Sequence, residues 1–182
     1  MTVTPMSALP PLTFADQNMK VTFLATPPAD LKAPTVTELE AGIDASCRLV
    51  KDGTFFRAGG SETVDEAAIC QPAGSQVAGR SNFEAAANVF RFFDEAAPGQ
   101  ADAQGDVLFA ALREKGSPGV FVIRLVNKEW DETWAAGDEC SVYSVTSDNW
   151  QQQEDTTQGY IKALVPLLVK DAEINAVVAA GA

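Results

Sequence analysis

The chain has 182 residues, 46% of them hydrophobic, which is enough for one domain with a sizeable core and short for two. Thirteen basic residues against twenty-five acidic ones leave a net charge of −12. That balance lacks the cations that displace counterions from DNA or hold a protein to an anionic membrane surface. Histidine is absent, which removes Ser-His-Asp and Cys-His catalysis and every zinc site that depends on imidazole.

Residues 1–18 include Pro5, Pro10 and Pro11 and read as an extended arm. With neither a basic start nor a continuous apolar run, they do not form a secretory signal. Residues 19–182 read as a single domain. "KVTFLA" (20–25) alternates as a first strand. In "TVTELEAG", Thr35 and Glu38 are spaced as a capping box, and Gly42 is placed to end a very short helix in the left-handed conformation. "IDASCRLV" (43–50) reads as a second strand, with Ile43, Ala45, Cys47 and Leu49 on one face and Cys47 as a small core hydrophobe.

"KDGTFFRAGGS" (51–61) reads as a glycine-rich loop, whose Phe55 and Phe56 either tuck beneath it or anchor a partner. "TVDEAAIC" (63–70) has the spacing of a second capped helical turn, Thr63 with Glu66. "SNFEAAANVFRFF" (81–93) is open: its alanines favour helix, while its alternation favours strand.

Val107, Leu108, Ala111 and Leu112 form an apolar stripe at helical spacing. Asp102 is placed to cap that helix, Arg113 and Lys115 lie at its negative end, and Gly116 and Pro118 stop it. Three further strands follow at 119–126, 140–147 and 159–169, the first apolar on both faces except at Arg124. The order predicts an α+β fold, mainly antiparallel, in a β-sandwich-like arrangement with one clear flanking helix. "IKALVPLLVKDAEI" is interrupted by Lys162, Pro166 and Lys170 and is shorter than the ~20 residues of a membrane span, so the reading is a soluble protein.

Cys47, Cys70 and Cys140 contain no C-x-x-C pair and read as reduced thiols of an intracellular compartment. The most site-like stretch is "EWDETWAAGDEC", with Glu129, Asp131, Glu132, Asp138 and Glu139 in twelve residues. Its spacing matches no calcium loop, and acids along one turn do not make a pair across a sugar site. Solvated acids on a turn are therefore expected. "RAGGSETV" and "PAGSQVAGR" lack the lysine and the glycine spacing of phosphate loops. No catalytic, metal or cofactor-binding residue is assigned.

In combination, "APTVTELEAGIDASCRLVKDG", "SETVDEAAICQPAGSQVAGR", "VLFAALREKGSPGVFVIRLV" and "WDETWAAGDECSVYSVTSDNWQ" resemble the major tail tube proteins of long-tailed phages of actinobacteria. The resemblance spans residues 33–172 or so, and implies that Trp134–Asp138 form the turn that opens the 140–147 strand, with Trp134 packed beneath it. It implies a β-sandwich subunit that assembles as hexameric rings stacked into a hollow tube, through which the genome leaves the virion. It also implies a tape measure protein and a tail terminator as partners, passage of DNA without specific binding, and assembly in the cytoplasm of the bacterial host. On this reading, contacts between rings fall on Pro5, Pro10, Pro11 and Phe14 of the arm and on Phe55, Phe56 and Arg57. Replacing both loop phenylalanines with serine is expected to spare the fold.

Other readings are a virion glycan-binding module using Trp130, Trp134 or Trp150, and a terminator or head–tail joining ring. A weaker one is a carboxylate-dependent hydrolase using Glu132 or Asp138.

Overall fold

The structure, a computed structural model, describes residues 12–65, 76–152 and 159–181. Its framework is one antiparallel sheet. In chain order the strands are β1 (Met19–Leu24), β2 (Ile43–Asp44), β3 (Phe55–Ala58), β4 (Thr63–Asp65), β5 (Gln76–Ala78) and β6 (Phe83–Phe90). They continue with β7 (Pro118–Leu125), β8 (Glu139–Ser147), β9 (Gln151–Gln152) and β10 (Lys162–Val177). The sheet order is β2-β1-β7-β8-β10-β6-β3, with β9 beside β10, while β4 and β5 pair only with each other. Two short helices, α1 (Val36–Glu40) and α2 (Val107–Leu112), pack on this sheet.

Strand alternation sorts the side chains into two cores. Val21, Phe23, Phe121, Tyr143 and Val145 face one core, with Leu108, Phe109 and Leu112 of α2 closing it. Leu24, Val120, Val122 and Val142 face the other, beneath Leu39 of α1 and Trp134. Covering on both faces explains why "VFVI" reads as a continuous apolar run.

The sheet also rolls on itself. Ala45 N–H bonds Val21 O of β1 (2.9 Å), while the Val50 amide donates to Asn88 O (2.7 Å) and the Phe90 amide to Arg48 O (2.9 Å) on β6. Residues 45–50 thus tie the two ends of the sheet together. Phe56, on the last strand in the order, meets Phe121 (4.9 Å) and Tyr143 (5.5 Å) across the first core. The result is the antiparallel, sandwich-like α+β fold that the sequence predicts.

Several elements differ from expectation for identifiable reasons. Residues 43–50 are a strand only at Ile43–Asp44. The Asp44 carboxylate then accepts the Ser46 amide (2.9 Å) and starts a turn, an option that Asp side chains offer the backbone. The turn leaves Ala45 in the core and exposes Cys47, which is not a core residue. The 51–61 segment contains β3 and is not all loop, and residues 63–65 are extended, not helical. Glu66–Cys70, the rest of that expected helical turn, lie outside the described residues.

Residues 83–90 are strand despite their alanines, because β3 and β10 supply ladders on both sides. Ala85, Ala86 and Ala87 are all buried there, and small side chains suit a strand covered on both faces. The last strand begins at Lys162, beyond the expected start at 159, and continues to Val177. It pairs with β6 over its first half and β8 over its second, with register shifts between Val169 and Asp171 and between Glu173 and Ala176. These bulges break the alternation that would have revealed the strand in the sequence. Pro166 is tolerated because its missing N–H faces the gap between β8 and β9, where its carbonyl accepts the Asp148 amide (2.9 Å).

The capping box of α1 is as read: Thr35 Oγ1 accepts the Glu38 amide and Glu38 Oε2 accepts the Thr35 amide (2.8 Å). Gly42 does not take the left-handed conformation. Glycine is needed there because a Cβ would lie 2.6 Å from both Leu24 Cδ2 and Thr22 Cγ2. Asp102 does not cap α2. Its Oδ1 accepts the amides of Gln104 (3.1 Å) and Gly105 (2.5 Å) in the preceding turn. Asp106 occupies the N-cap position and spends its carboxylate on Arg91 (2.9 Å). Lys115 pairs with Asp148 (3.0 Å), and Gly116 follows with φ +91°.

Candidate assembly surface

The acid-rich turn is built around a buried cation. Arg124 on β7 is 0% exposed and Asp138 is 7% exposed, joined by an Nη1–Oδ2 bond of 3.2 Å. The guanidinium also donates to the carbonyls of Thr133 (2.9 Å), Glu129 (2.8 Å) and Glu132 (3.2 Å), so the turn wraps it. It stands 5.3 Å from the Trp134 ring, whose Nε1–H donates to Thr22 Oγ1 (3.0 Å). Lys128 closes the group with a 2.5 Å bond to Asp138 Oδ1.

Burial pushes the Asp138 pKa up. The Lys128 hydrogen bond and charge, the Ala135 amide and Arg124 outweigh that effect and leave it below the ordinary value. Trp134 therefore packs beneath the turn as expected, and four of the five acids are exposed. Asp138 is a correction: it is a buried partner, not a solvated acid, and Arg124 is fully enclosed. Among the described residues no cluster of three Cys, Asp or Glu side chains could hold a metal ion. Cys140, beside this knot, has its thiol pushed up to about 12 by burial and then by the Asp138 charge.

The three tryptophans occupy separate places. Trp134 is buried, Trp130 sits by Gln17 before β1, and Trp150 meets Phe109 of α2 edge-on at 5.5 Å. They do not converge on one sugar-binding platform.

The residues predicted to make contacts also divide. Pro5, Pro10 and Pro11 lie outside the described residues. Phe14 is 85% exposed. Phe55 faces outward beneath Arg57, whose guanidinium is 4.7 Å from the ring and pairs with Glu84 (2.7 Å). Phe56 turns inward and packs on the first core. The structure therefore brings Phe55 and Arg57 together on an outer strand and removes Phe56 from the surface pair.

The sequence did not single out two further apolar areas. Leu125, Met19 and Trp130 are exposed around a groove of about 420 Å³ between residues 15–17 and the 46–54 segment. A second groove, of about 390 Å³, runs past Leu125, Ile174 and Val177 at the far end of β10. The signal for the first was the apolar residue Leu125 ending a strand; for the second it was hidden by the bulges.

The family model described as "Phage tail tube protein" matches residues 6–182. The chain belongs to the phage tail tube protein family. As a member it is a structural, non-enzymatic component of the virion tail. No curated protein sequence matches the chain. Among solved structures, a chain in the cryo-EM structure of the anti-feeding prophage baseplate, 6-fold symmetrised, is similar at 14% identity and a TM-score of 0.45. The match covers 91% of this tail tube family chain and 95% of the other.

Proposed function

We propose that this chain is the major tail tube subunit of a long-tailed phage of actinobacteria, assembling as hexameric rings stacked into a hollow tube. The family match along residues 6–182 carries this reading. In it, residues 1–18 form the arm, whose last residues are held against the body of the subunit where the Trp130 amide donates to Gln17 O (2.8 Å). The tube meets a tape measure protein and a terminator, is built in the host cytoplasm and conducts the genome at ejection.

The composition supports the same reading. A conduit must let DNA pass without holding it, and a subunit with net charge −12 and no histidine repels phosphates. The outward Phe55–Arg57 pair on β3, at the end of the sheet order, gives one surface for neighbours. Edge strands in such a subunit serve as pairing sites, not as hazards.

Electron microscopy of the purified protein over a range of salt tests the proposal. Salt screens the repulsion between subunits of like charge, so association strengthens as the Debye length falls. Stacked rings with an open channel are expected. Persistent monomers in all conditions overturn the reading.

A further inference from the structure

We propose that the groove beside β1 is the receptor for the Leu12–Phe14 segment of a second copy of this chain; this rests on the tail tube reading above. The groove is lined mainly by Met19, Leu49, Val50, Leu125 and Trp130, with Asp16 and Lys51 also in its lining and the exposed Cys47 on its wall. Leu12 and Phe14 are 96% and 85% exposed, and no described residue covers them. One surface thus offers two large apolar side chains, and another, on the same molecule, has a largely apolar groove that no described residue fills.

The lack of charge suits this segment to the groove. Residues 1–15 contain no charged side chain, in a chain where 21% of residues are charged. Such a stretch enters an apolar groove without stripping water from an ion, which is the main cost of burying polar sequence.

The local geometry makes the occupant a neighbour's segment. Residues 15–17 form one wall of the groove, yet the chain runs past it and leaves Phe14 in solvent. That course is held in place: Asn18 Nδ2 donates to Phe14 O (2.8 Å), the Asn18 amide to Ala15 O (3.2 Å) and the Trp130 amide to Gln17 O (2.8 Å). Gln17 carries φ +65°, so the turn is specific. These bonds hold the chain on the course that leaves Phe14 outside, and the segment of a second copy reaches the groove with them intact. Donor and acceptor are different patches, so each copy can give its segment to one neighbour and receive another's, and in the tail tube reading the contact runs head-to-tail along the assembly.

The test places a thiol between the two anchors. Thr13→Cys in a Cys70→Ser background is assembled from equal parts of ordinary and nitrogen-15-labelled protein, then oxidised with diamide. The expected product is a disulfide-linked peptide pair containing positions 13 and 47, one light and one heavy, absent when Cys47→Ser is added. Tubes in micrographs without that link, or with a link only within one chain, overturn the docking while leaving the tail tube reading standing. Failure of the unmodified protein to assemble at any salt overturns both.

As a second measurement, Phe14→Ser should leave the thermal midpoint unchanged, since the side chain is exposed. It should raise the concentration needed for assembly by about tenfold or more. Unchanged assembly counts against the docking.

Discussion

Arg124 and Asp138 are joined by a 3.2 Å hydrogen-bonded ion pair in a part of the molecule closed to solvent. Removing one member of such a pair leaves the other charged without compensation, at a cost of about 3–5 kcal/mol. Asp138→Ala should fall at the lower end, because Arg124 keeps three carbonyl acceptors. The midpoint of denaturant unfolding, followed by tryptophan fluorescence, measures this directly. A loss under about 1 kcal/mol, the scale of an exposed pair, would show that the pair is not enclosed.

The same carboxylate sets an acid limit. Its pKa is lowered in the folded chain, so its contribution is complete above the ordinary value of 3.8 and disappears as pH falls through the lower folded value. Glu38 acts in the same sense from 4.5 downward, its pKa lowered by the Ala29 amide, the Thr35 amide and the Thr35 hydroxyl. The stability difference between the unmodified protein and Asp138→Asn should be constant from pH 7 to 5 and shrink below pH 4. Unfolding midpoints at pH 7, 5, 4 and 3 check the direction.

Phe55 and Phe56 should separate cleanly. Phe56 packs on Phe121 and Tyr143, and its truncation to alanine should cost about 2–3 kcal/mol, below the range for a fully buried ring because it is half-buried. Phe55→Ser should cost less than about 0.5 kcal/mol, as outward side chains do, and act on assembly instead. The double replacement is therefore expected to destabilise the fold through Phe56, where the sequence reading expected the fold to be spared. Thermal unfolding of the two single variants, beside micrographs of each, distinguishes the roles.

The thiols give a readout of burial. In a Cys70→Ser background, a disulfide reagent should label Cys47 at once and Cys140 only on unfolding, since Cys140 is buried with its thiol pushed to about 12. Equal rates in the native protein would contradict the enclosure of Cys140. Inside an assembly with the groove occupied, Cys47 labelling should slow as well.

The sequence by itself determined what depends on residue type and short spacing. The excess of acids argued against holding DNA or an anionic membrane, the absence of histidine removed imidazole-dependent catalysis and zinc sites, and the combined motifs resembled the family to which the chain belongs. The Thr35–Glu38 capping box and the apolar β7 run were also legible, because a cap closes within four residues and a doubly covered strand shows as a continuous run.

Tertiary structure decided everything that needed a distant partner. Ala85–Ala87 became strand because β3 and β10 lie on either side of them, overriding alanine's local preference for helix. Residues 45–50 left the strand pattern because Asp44 turned the chain toward β6. Phe55 and Phe56, adjacent in sequence, were parted by the two faces of a strand that no local pattern marked. Asp138 looked like its four neighbours until the β7–β8 connection folded over Arg124. Burial is a property of what packs above a residue, and that is not written in its immediate neighbours.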